Sequence, residues 1–287
     1  MRILLTGASG FIGGHVQEAA RVQGHAVIPL RADLRSPEAL KTELASRDPT
    51  HVLHLAGIAF VGNADVRAFY EVNLLGTLNL LEALASSSHR PLKVVLASSA
   101  NVYGNAQVSP LRETQPPAPT NHYAMSKLAM EHLARTYETR LDLCLARTFN
   151  STGPGQSEDF LIPKLVKAFK TRAPEVTLGN LEVEREFNDI RRTAAAFLGL
   201  VEHGISGETY NLCSGQPHRL KDVIDRLETL TGHRPKIRID PDLVRPNEVL
   251  RLCGDPRKLL EVTGPLPSYS LDETLSWMLE AAEEPFA

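Results

Sequence analysis

A glycine-rich turn directly behind the first apolar run constrains this chain more than any other feature. Residues 3–6 are apolar and lead straight into Thr6-Gly7-Ala8-Ser9-Gly10-Phe11-Ile12-Gly13. Glycine at such a turn permits backbone angles that other residues avoid and lets a pyrophosphate approach the main chain. A helix opening there offers unpaired N–H groups and the positive end of its dipole to a phosphate. The spacing is Gly-x-x-Gly-x-x-Gly, not the Gly-x-Gly-x-x-Gly of the common dinucleotide fingerprint. The turn nevertheless predicts a dinucleotide site formed by Gly7, Ser9, Gly10, Phe11, Ile12 and Gly13. The alternative is a strand–helix turn that binds nothing.

The rest of the first half supports that context. Short apolar runs at 3–6, 26–30, 51–55, 92–98 and 142–147 read as buried strands. Helical stretches, including 66–86 and 122–139, lie between them. Strands alternating with helices predict an α/β fold, a doubly wound parallel (Rossmann) sheet covered on both faces. After Arg147 the chain becomes proline-rich, with helical patterns at 160–171, 192–203 and 220–231. We therefore expect a dinucleotide-binding domain over 1–150 and a smaller, mixed α/β substrate lobe over 151–287. Residues 188–213 are expected to rejoin the first sheet.

Composition excludes several classes. The 287 residues are 43% hydrophobic and 23% charged, with a formal net charge of −3. That balance is ordinary for a globular protein and gives no bulk attraction to nucleic acid or membrane. Three cysteines, with no Cys-x-x-Cys pair, read as free thiols in a reducing compartment. No leader pattern and no apolar run of about 20 residues is visible, so a cytoplasmic protein is expected. His51 and His54 flank a strand without a partner set at ligand spacing, and read as ordinary buried or edge histidines rather than metal ligands.

The second end of the candidate cofactor site is the close of the second strand, Pro29-Leu30-Arg31-Ala32-Asp33. An acidic residue there would bind the ribose diol of NAD, and an arginine would favour the extra phosphate of NADP. Arg31 falls nearest the expected place and Asp33 follows two residues later. NADP(H) is favoured over NAD(H), with a solvated surface role for Arg31 as the alternative.

Tyr123-Ala124-Met125-Ser126-Lys127 opens a helical stretch, so Tyr123 and Lys127 share a face. A free tyrosine titrates near ~10, and a neighbouring ammonium stabilises its phenolate. About two dozen residues earlier, Ser98-Ser99 ends a strand. A serine at a strand's C-terminal end faces the ligand crevice of a parallel sheet. Its hydroxyl can polarise a carbonyl that tyrosine protonates. Strand-end capping is the plainer role for Ser99.

These residues resemble the extended short-chain dehydrogenase/reductase family over nearly the whole chain. The matching elements are residues 6–13, His54-Leu55-Ala56-Gly57, Asn73-Leu74-Leu75-Gly76-Thr77, Ser98-Ser99-Ala100-Asn101-Val102-Tyr103-Gly104 and residues 123–127. The resemblance implies Ser99, Tyr123 and Lys127 as catalytic. It also implies that Leu55, Ala56, Gly57 and Ala97 line the cofactor, with Tyr123 and Lys127 beside it. Asn73 supports the site, and Asp33 with Leu34 contacts the adenine.

The second lobe is similar to that of GDP-mannose 4,6-dehydratases and GDP-6-deoxy-D-mannose reductases. The similarity rests on residues 149–156, Leu178-Gly179-Asn180-Leu181, Arg185-Glu186-Phe187-Asn188-Asp189 and Arg245-Pro246-Asn247-Glu248-Val249. It implies Ser99, Asn101, Asn150, Asn180, Arg185, Arg245 and Glu248 around the substrate, the two arginines on its diphosphate. Surface or ion-pair roles for those arginines are the alternative.

Within that resemblance, dehydratases carry adjacent carboxylates after the serine, and GDP-fucose synthases carry a cysteine where this chain has Asn101. Ala100 and Asn101 cannot titrate, so dehydration and carbon deprotonation are disfavoured. The expected reaction is NAD(P)H-dependent reduction of GDP-4-keto-6-deoxy-D-mannose to GDP-D-rhamnose or its 4-epimer. A UDP-sugar 4-epimerase with tightly held NAD is the alternative, and a non-catalytic dinucleotide sensor a remote one. A homodimer through 66–86 and 122–139 is also expected.

Overall fold

The computed structural model describes residues 1–62, 64–244 and 249–281. The chain begins β1 (Arg2–Thr6), α1 (Phe11–Val22), β2 (Ala26–Pro29), α2 (Pro37–Ala45) and β3 (His51–His54). It continues through α3 (Val66–Ala68), a π-helical segment over Phe69–Gly76, α4 (Thr77–Ser86) and β4 (Lys93–Ser99). Next come α5 (His122–Arg135) and β5 (Leu143–Thr148). The second half holds β6 (Ser151–Thr152), α6 (Leu161–Lys170), β7 (Glu175–Leu178), β8 (Glu184–Glu186) and β9 (Asn188–Asp189). It ends with α7 (Ile190–His203), β10 (Thr209–Leu212), β11 (Pro217–Arg219), α8 (Leu220–Thr231), β12 (Lys236–Ile239), β13 (Arg251–Leu252), α9 (Arg257–Thr263) and α10 (Leu271–Glu280).

Six strands form one parallel sheet in the order β10-β5-β4-β3-β1-β2. Successive side chains alternate across a strand, so the two faces bury different residues. Ile3, Leu5, Leu53, Val95 and Ala146 pack on one side with Val16, Phe197 and Leu200 of α1 and α7. Leu4, Val52, Val94, Leu96 and Leu145 pack on the other with Leu40, Leu80, Leu84 and Met130 of α2, α4 and α5. Two covered faces explain why these strands read as unbroken apolar runs. Each such side chain contributes roughly 1.5–3 kcal/mol by burial, so Leu4→Ala would cost about 2–5 kcal/mol.

The chain reverses direction across the sheet between β1 and β3, which places a crevice at their C-terminal ends. Gly7 takes φ +69° there, and a Cβ on it would sit 2.7 Å from Ala56 N. A Cβ on Gly13 would sit 2.1 Å from the Gly7 carbonyl. Only glycine lets the turn close against both β3 and its own helix.

A separate cluster holds the second lobe together, with Leu165, Phe169, Val176, Leu178, Val223, Leu227 and Leu275 from α6, β7, α8 and α10. Its small sheets pair β7 with β12, and β8 with β11 and β13. By contrast α7 and β10, which follow in sequence, pack against α1 and β5 of the large sheet.

Two helices differ from the sequence expectation. The stretch 66–86 is interrupted by the π-helical segment, which widens the turn around Asn73. The stretch 122–139 ends as a helix at Arg135 and continues as turns. No helix of the described residues is long and apolar enough to cross a membrane. Cys144, Cys213 and Cys253 are free and buried.

Candidate active site

Helix α5 is capped by Asn121, whose side chain accepts the Ala124 N–H at 2.9 Å. That cap sets where Tyr123 and Lys127 emerge. Both are buried, and Ser99, at the end of β4, favours the Tyr123 phenolate against the effect of burial. Pleat alternation separates the two serines. Ser98 Oγ donates to Glu131 Oε1 at 2.5 Å, while Ser99 faces Tyr123. Ser99 Oγ accepts from both Asn101 N and Asn101 Nδ2, each at 3.2 Å. Two donors fill its lone pairs, so the Ser99 proton is left to point outward, toward Tyr123 or a ligand oxygen.

Lys127 Nζ donates to Ala97 O at 2.9 Å. Burial brings the Lys127 ammonium down to about 8, with Glu131 one turn away opposing the shift. Burial also pushes the Tyr123 phenol up, opposed by Ser99. With Lys127 sharing the helix face, the site holds a neutral phenol beside a titratable cation.

Asn73 ties the shelf behind β3 to this centre. Its Oδ1 accepts from Ile58 N at 2.8 Å, and its Nδ2 donates to Ile58 O and to Ser126 Oγ at 3.2 and 3.0 Å. Ser126 Oγ in turn donates to the Tyr123 carbonyl. Leu55, Ala56 and Gly57 lie on the stretch between β3 and Ile58, and Gly7 lies against Ala56.

Around the glycine turn, Gly10 caps α1 with no side chain occupying its N–H groups. Ser9 is exposed, and Phe11 and Ile12 are half-buried in the first helical turn. After β2, Arg31 is exposed, and its backbone N–H is held by Glu43. Asp33 is gripped by Arg35, through Nη2 to Oδ2 at 2.6 Å and Nε to both oxygens at 3.1 Å. This pairing holds the Asp33 carboxyl at about 2. The Leu34 side chain is buried in the core rather than exposed at a ligand surface.

The second-lobe candidates are less convergent. Asn180 Oδ1 accepts from Glu182 N and so closes its own turn. Arg185 is half-buried on β8, with Nη1 donating to Glu184 O. The Asn150 side chain is exposed, and its carbonyl accepts from Asn188. Arg245 and Glu248 lie outside the described residues. A cavity of about 90 Å3, lined by Asn188, Arg192, Ser214, Gln216 and His218 among others, shares no residue with the Ser99–Tyr123–Lys127 centre. That cavity also gathers Arg192, Ser214 and Tyr269, but the candidate centre is the one at the C-terminal end of β4, where the buried Tyr123 and Lys127 share a helix face.

Four supporting residues were missed in the sequence. Arg35 lies beyond the strand end where a phosphate ligand is sought. Glu131 and Arg147 are 16 residues apart and meet only in the fold. Asn121, three residues before Ala124, was legible as a helix cap. Among the described residues no cluster of His, Cys, Asp or Glu could hold a metal ion.

Known proteins resemble this chain over most of its length. Residues 18–278 match the GDP-mannose 4,6 dehydratase family. The GDP-6-deoxy-D-talose 4-dehydrogenase of Aggregatibacter actinomycetemcomitans is 34% identical over 92% of this chain and 92% of its own. The GDP-6-deoxy-D-mannose reductase of Pseudomonas aeruginosa is 34% identical over 97% and 96%. Among solved structures, RMD from Pseudomonas aeruginosa complexed with NADPH superposes with a TM-score of 0.90, at 33% identity over 97% of each chain.

Proposed function

This chain belongs to the GDP-mannose 4,6 dehydratase family of extended short-chain dehydrogenases/reductases, and from that premise we propose that it reduces the 4-keto group of a nucleotide-linked 6-deoxy sugar. The substrate is GDP-4-keto-6-deoxy-D-mannose, and the product is GDP-D-rhamnose or its C4 epimer, GDP-6-deoxy-D-talose. One observation carries the choice of reaction: the residue engaging Ser99 is an amide, Asn101, which donates two hydrogen bonds and cannot titrate.

The residues present fit a nicotinamide dinucleotide. The turn at Gly7 and Gly13 leaves no room for a Cβ, and the N–H groups at Gly10 have no side-chain acceptor. Gly7, Ser9, Gly10, Phe11, Ile12 and Gly13 would hold the pyrophosphate, and Leu55, Ala56, Gly57, Asn73 and Ala97 the remainder. The bound cofactor supplies a hydride. Tyr123, kept neutral by burial, gives its proton to the ketone oxygen. Ser99 donates its remaining proton to the same oxygen. Lys127 holds positive charge on the same face, which stabilises the phenolate left behind.

NADPH is the favoured reductant. Arg31 and Arg35 follow β2, where the adenosine ribose is expected, and the Asp33 carboxylate there is already paired with Arg35. Arg185 and Arg245 of the lobe over 151–287 would hold the diphosphate, and Asn101 and Asn150 of the first domain, with Asn180 and Glu248 of the lobe, would face the nucleotide sugar. Exposed Val66, Leu75 and Met125 on helices 66–86 and 122–135 support a homodimer. Three free thiols fit the cytoplasm.

The deciding experiment supplies GDP-4-keto-6-deoxy-D-mannose and NADPH, then follows absorbance and product stereochemistry. Stoichiometric NADPH oxidation with a GDP-6-deoxyhexose product is expected. Interconversion of UDP-sugars by a protein that releases NAD only on denaturation would establish the epimerase reading instead.

A further inference from the structure

His54 is buried at the end of β3 between two threonines that are buried as well. Its Nδ1 lies 2.7 Å from Thr6 Oγ1, and its Nε2 lies 2.9 Å from Thr77 Oγ1. Thr6 Oγ1 also receives Ala56 N at 3.0 Å, and Thr77 Oγ1 also reaches the Asn73 carbonyl at 2.8 Å. Five groups from four chain segments thus form one line: the glycine turn's strand, the shelf behind β3, His54, and the helix carrying Asn73.

Satisfying every donor assigns the direction of that line. With the proton on Nε2, Ala56 N–H donates to Thr6, Thr6 O–H to Nδ1, Nε2–H to Thr77, and Thr77 O–H to the Asn73 carbonyl. With the proton on Nδ1, Thr6 Oγ1 receives two donors and its own hydrogen has no acceptor. Thr77 must then leave Asn73 to serve Nε2. The first arrangement makes one more bond, in a place where an unmade bond is costly. Burial, with the Lys127 charge adding to it, brings the imidazole down to about 3 and keeps it neutral.

We propose that His54 is a positioning residue: a permanently neutral Nε2–H imidazole that joins the cofactor shelf at Ala56–Gly57 to the backbone of Asn73. The inference rests on the dinucleotide reading of the shelf. The Thr6 end sets Ala56, and the Thr77 end sets Asn73, whose side chain reaches Ser126 beneath Tyr123. The two ends therefore act on different quantities.

The test pairs a spectroscopic measurement with two near-isosteric substitutions. In the wild type, nitrogen shifts of His54 should report Nε2–H and stay constant from pH 5 to 9. Thr6→Val should weaken NADPH binding about tenfold with a smaller change in kcat. Thr77→Val should lower kcat by a similar factor with NADPH affinity nearly unchanged. Thr6→Ser and Thr77→Ser should each restore the wild-type value. An Nδ1–H tautomer, a titration within that pH range, or variants that lower Tm without the Kd-against-kcat split would overturn the proposal. Should a valine variant fail to fold, the wild-type tautomer still decides. A wild-type protein that binds no dinucleotide would remove the functional reading and leave the tautomer assignment standing.

Discussion

Arg147 grips Glu131 through two bonds, Nη2 to Oε2 at 2.7 Å and Nε to Oε1 at 2.9 Å, with both side chains almost completely buried. The pair joins β5 to the helix that carries Tyr123 and Lys127. Ser98 adds a third bond to the same carboxylate, and the Tyr103 ring lies 4.8 Å from the guanidinium. Glu131→Gln leaves a buried arginine without its counter-charge, so a loss of about 3–5 kcal/mol is expected. Urea unfolding monitored by circular dichroism checks this; a change within 1 kcal/mol would show the pair to be dispensable.

Tyr123→Phe keeps the ring against Phe69, where the centroids are 6.0 Å apart, and deletes only the hydroxyl. Turnover should fall about 10²–10⁴-fold while NADPH affinity and Tm stay near wild type. Steady-state kinetics and a fluorescence titration on the same preparation separate the two quantities. Near-normal turnover would remove Tyr123 from the proton-donor role.

Asn101→Asp tests the hydroxyl that faces the ketone. A carboxylate cannot donate to Ser99 Oγ; it would accept the Ser99 proton and turn it away from the substrate. Reductase kcat should drop at least tenfold, on the scale of one charged hydrogen bond of about 1.5–3 kcal/mol. Cofactor affinity should not change, because Asn101 contacts Ser99 rather than the shelf. Equal losses in both measurements would mean that the substitution disturbs the fold.

Arg35→Ala frees Asp33 as well as removing a cation. NADPH affinity should weaken about tenfold, while NADH affinity holds or improves as the carboxylate becomes available to a ribose diol. Arg31→Ala should weaken NADPH alone. Parallel losses for both cofactors in both variants would place neither arginine at the 2′-phosphate.

Acid should destabilise the protein in a window set by His54. Its folded value of about 3 lies below the ordinary 6.5, so between these limits the unfolded chain binds a proton that the folded chain does not. Stability from this group is fully present above 6.5, falls as pH is lowered, and is about 2 kcal/mol down at pH 5. Denaturation curves at pH 7 and 5 for wild type and His54→Asn measure it. The variant should lose roughly one proton's worth of pH slope.

Local chemistry made much of this protein legible in its sequence. The strand–turn–helix at 3–13, the unbroken apolar strands and the Tyr123/Lys127 spacing each depend on residues within a few positions of one another. Their geometry follows from backbone sterics and periodicity, which act at short range. The helix over 66–86 was legible as a helix, but its π-helical segment was not, since nothing in 69–76 alone demands a wider turn. What the tertiary structure decided lies between segments distant in sequence. It turned Ser98 onto Glu131, committed Asp33 to Arg35 and buried Leu34, whereas Ser99 and the return of 188–213 to the first sheet were already expected from the sequence. It also turned His54 from an unremarkable strand histidine into the centre of a line from Ala56 to Asn73. These outcomes depend on which buried polar group finds which partner, and a buried donor takes whatever acceptor packing brings within about 3 Å. Sequence determines which groups need partners; only the packed chain determines who meets whom.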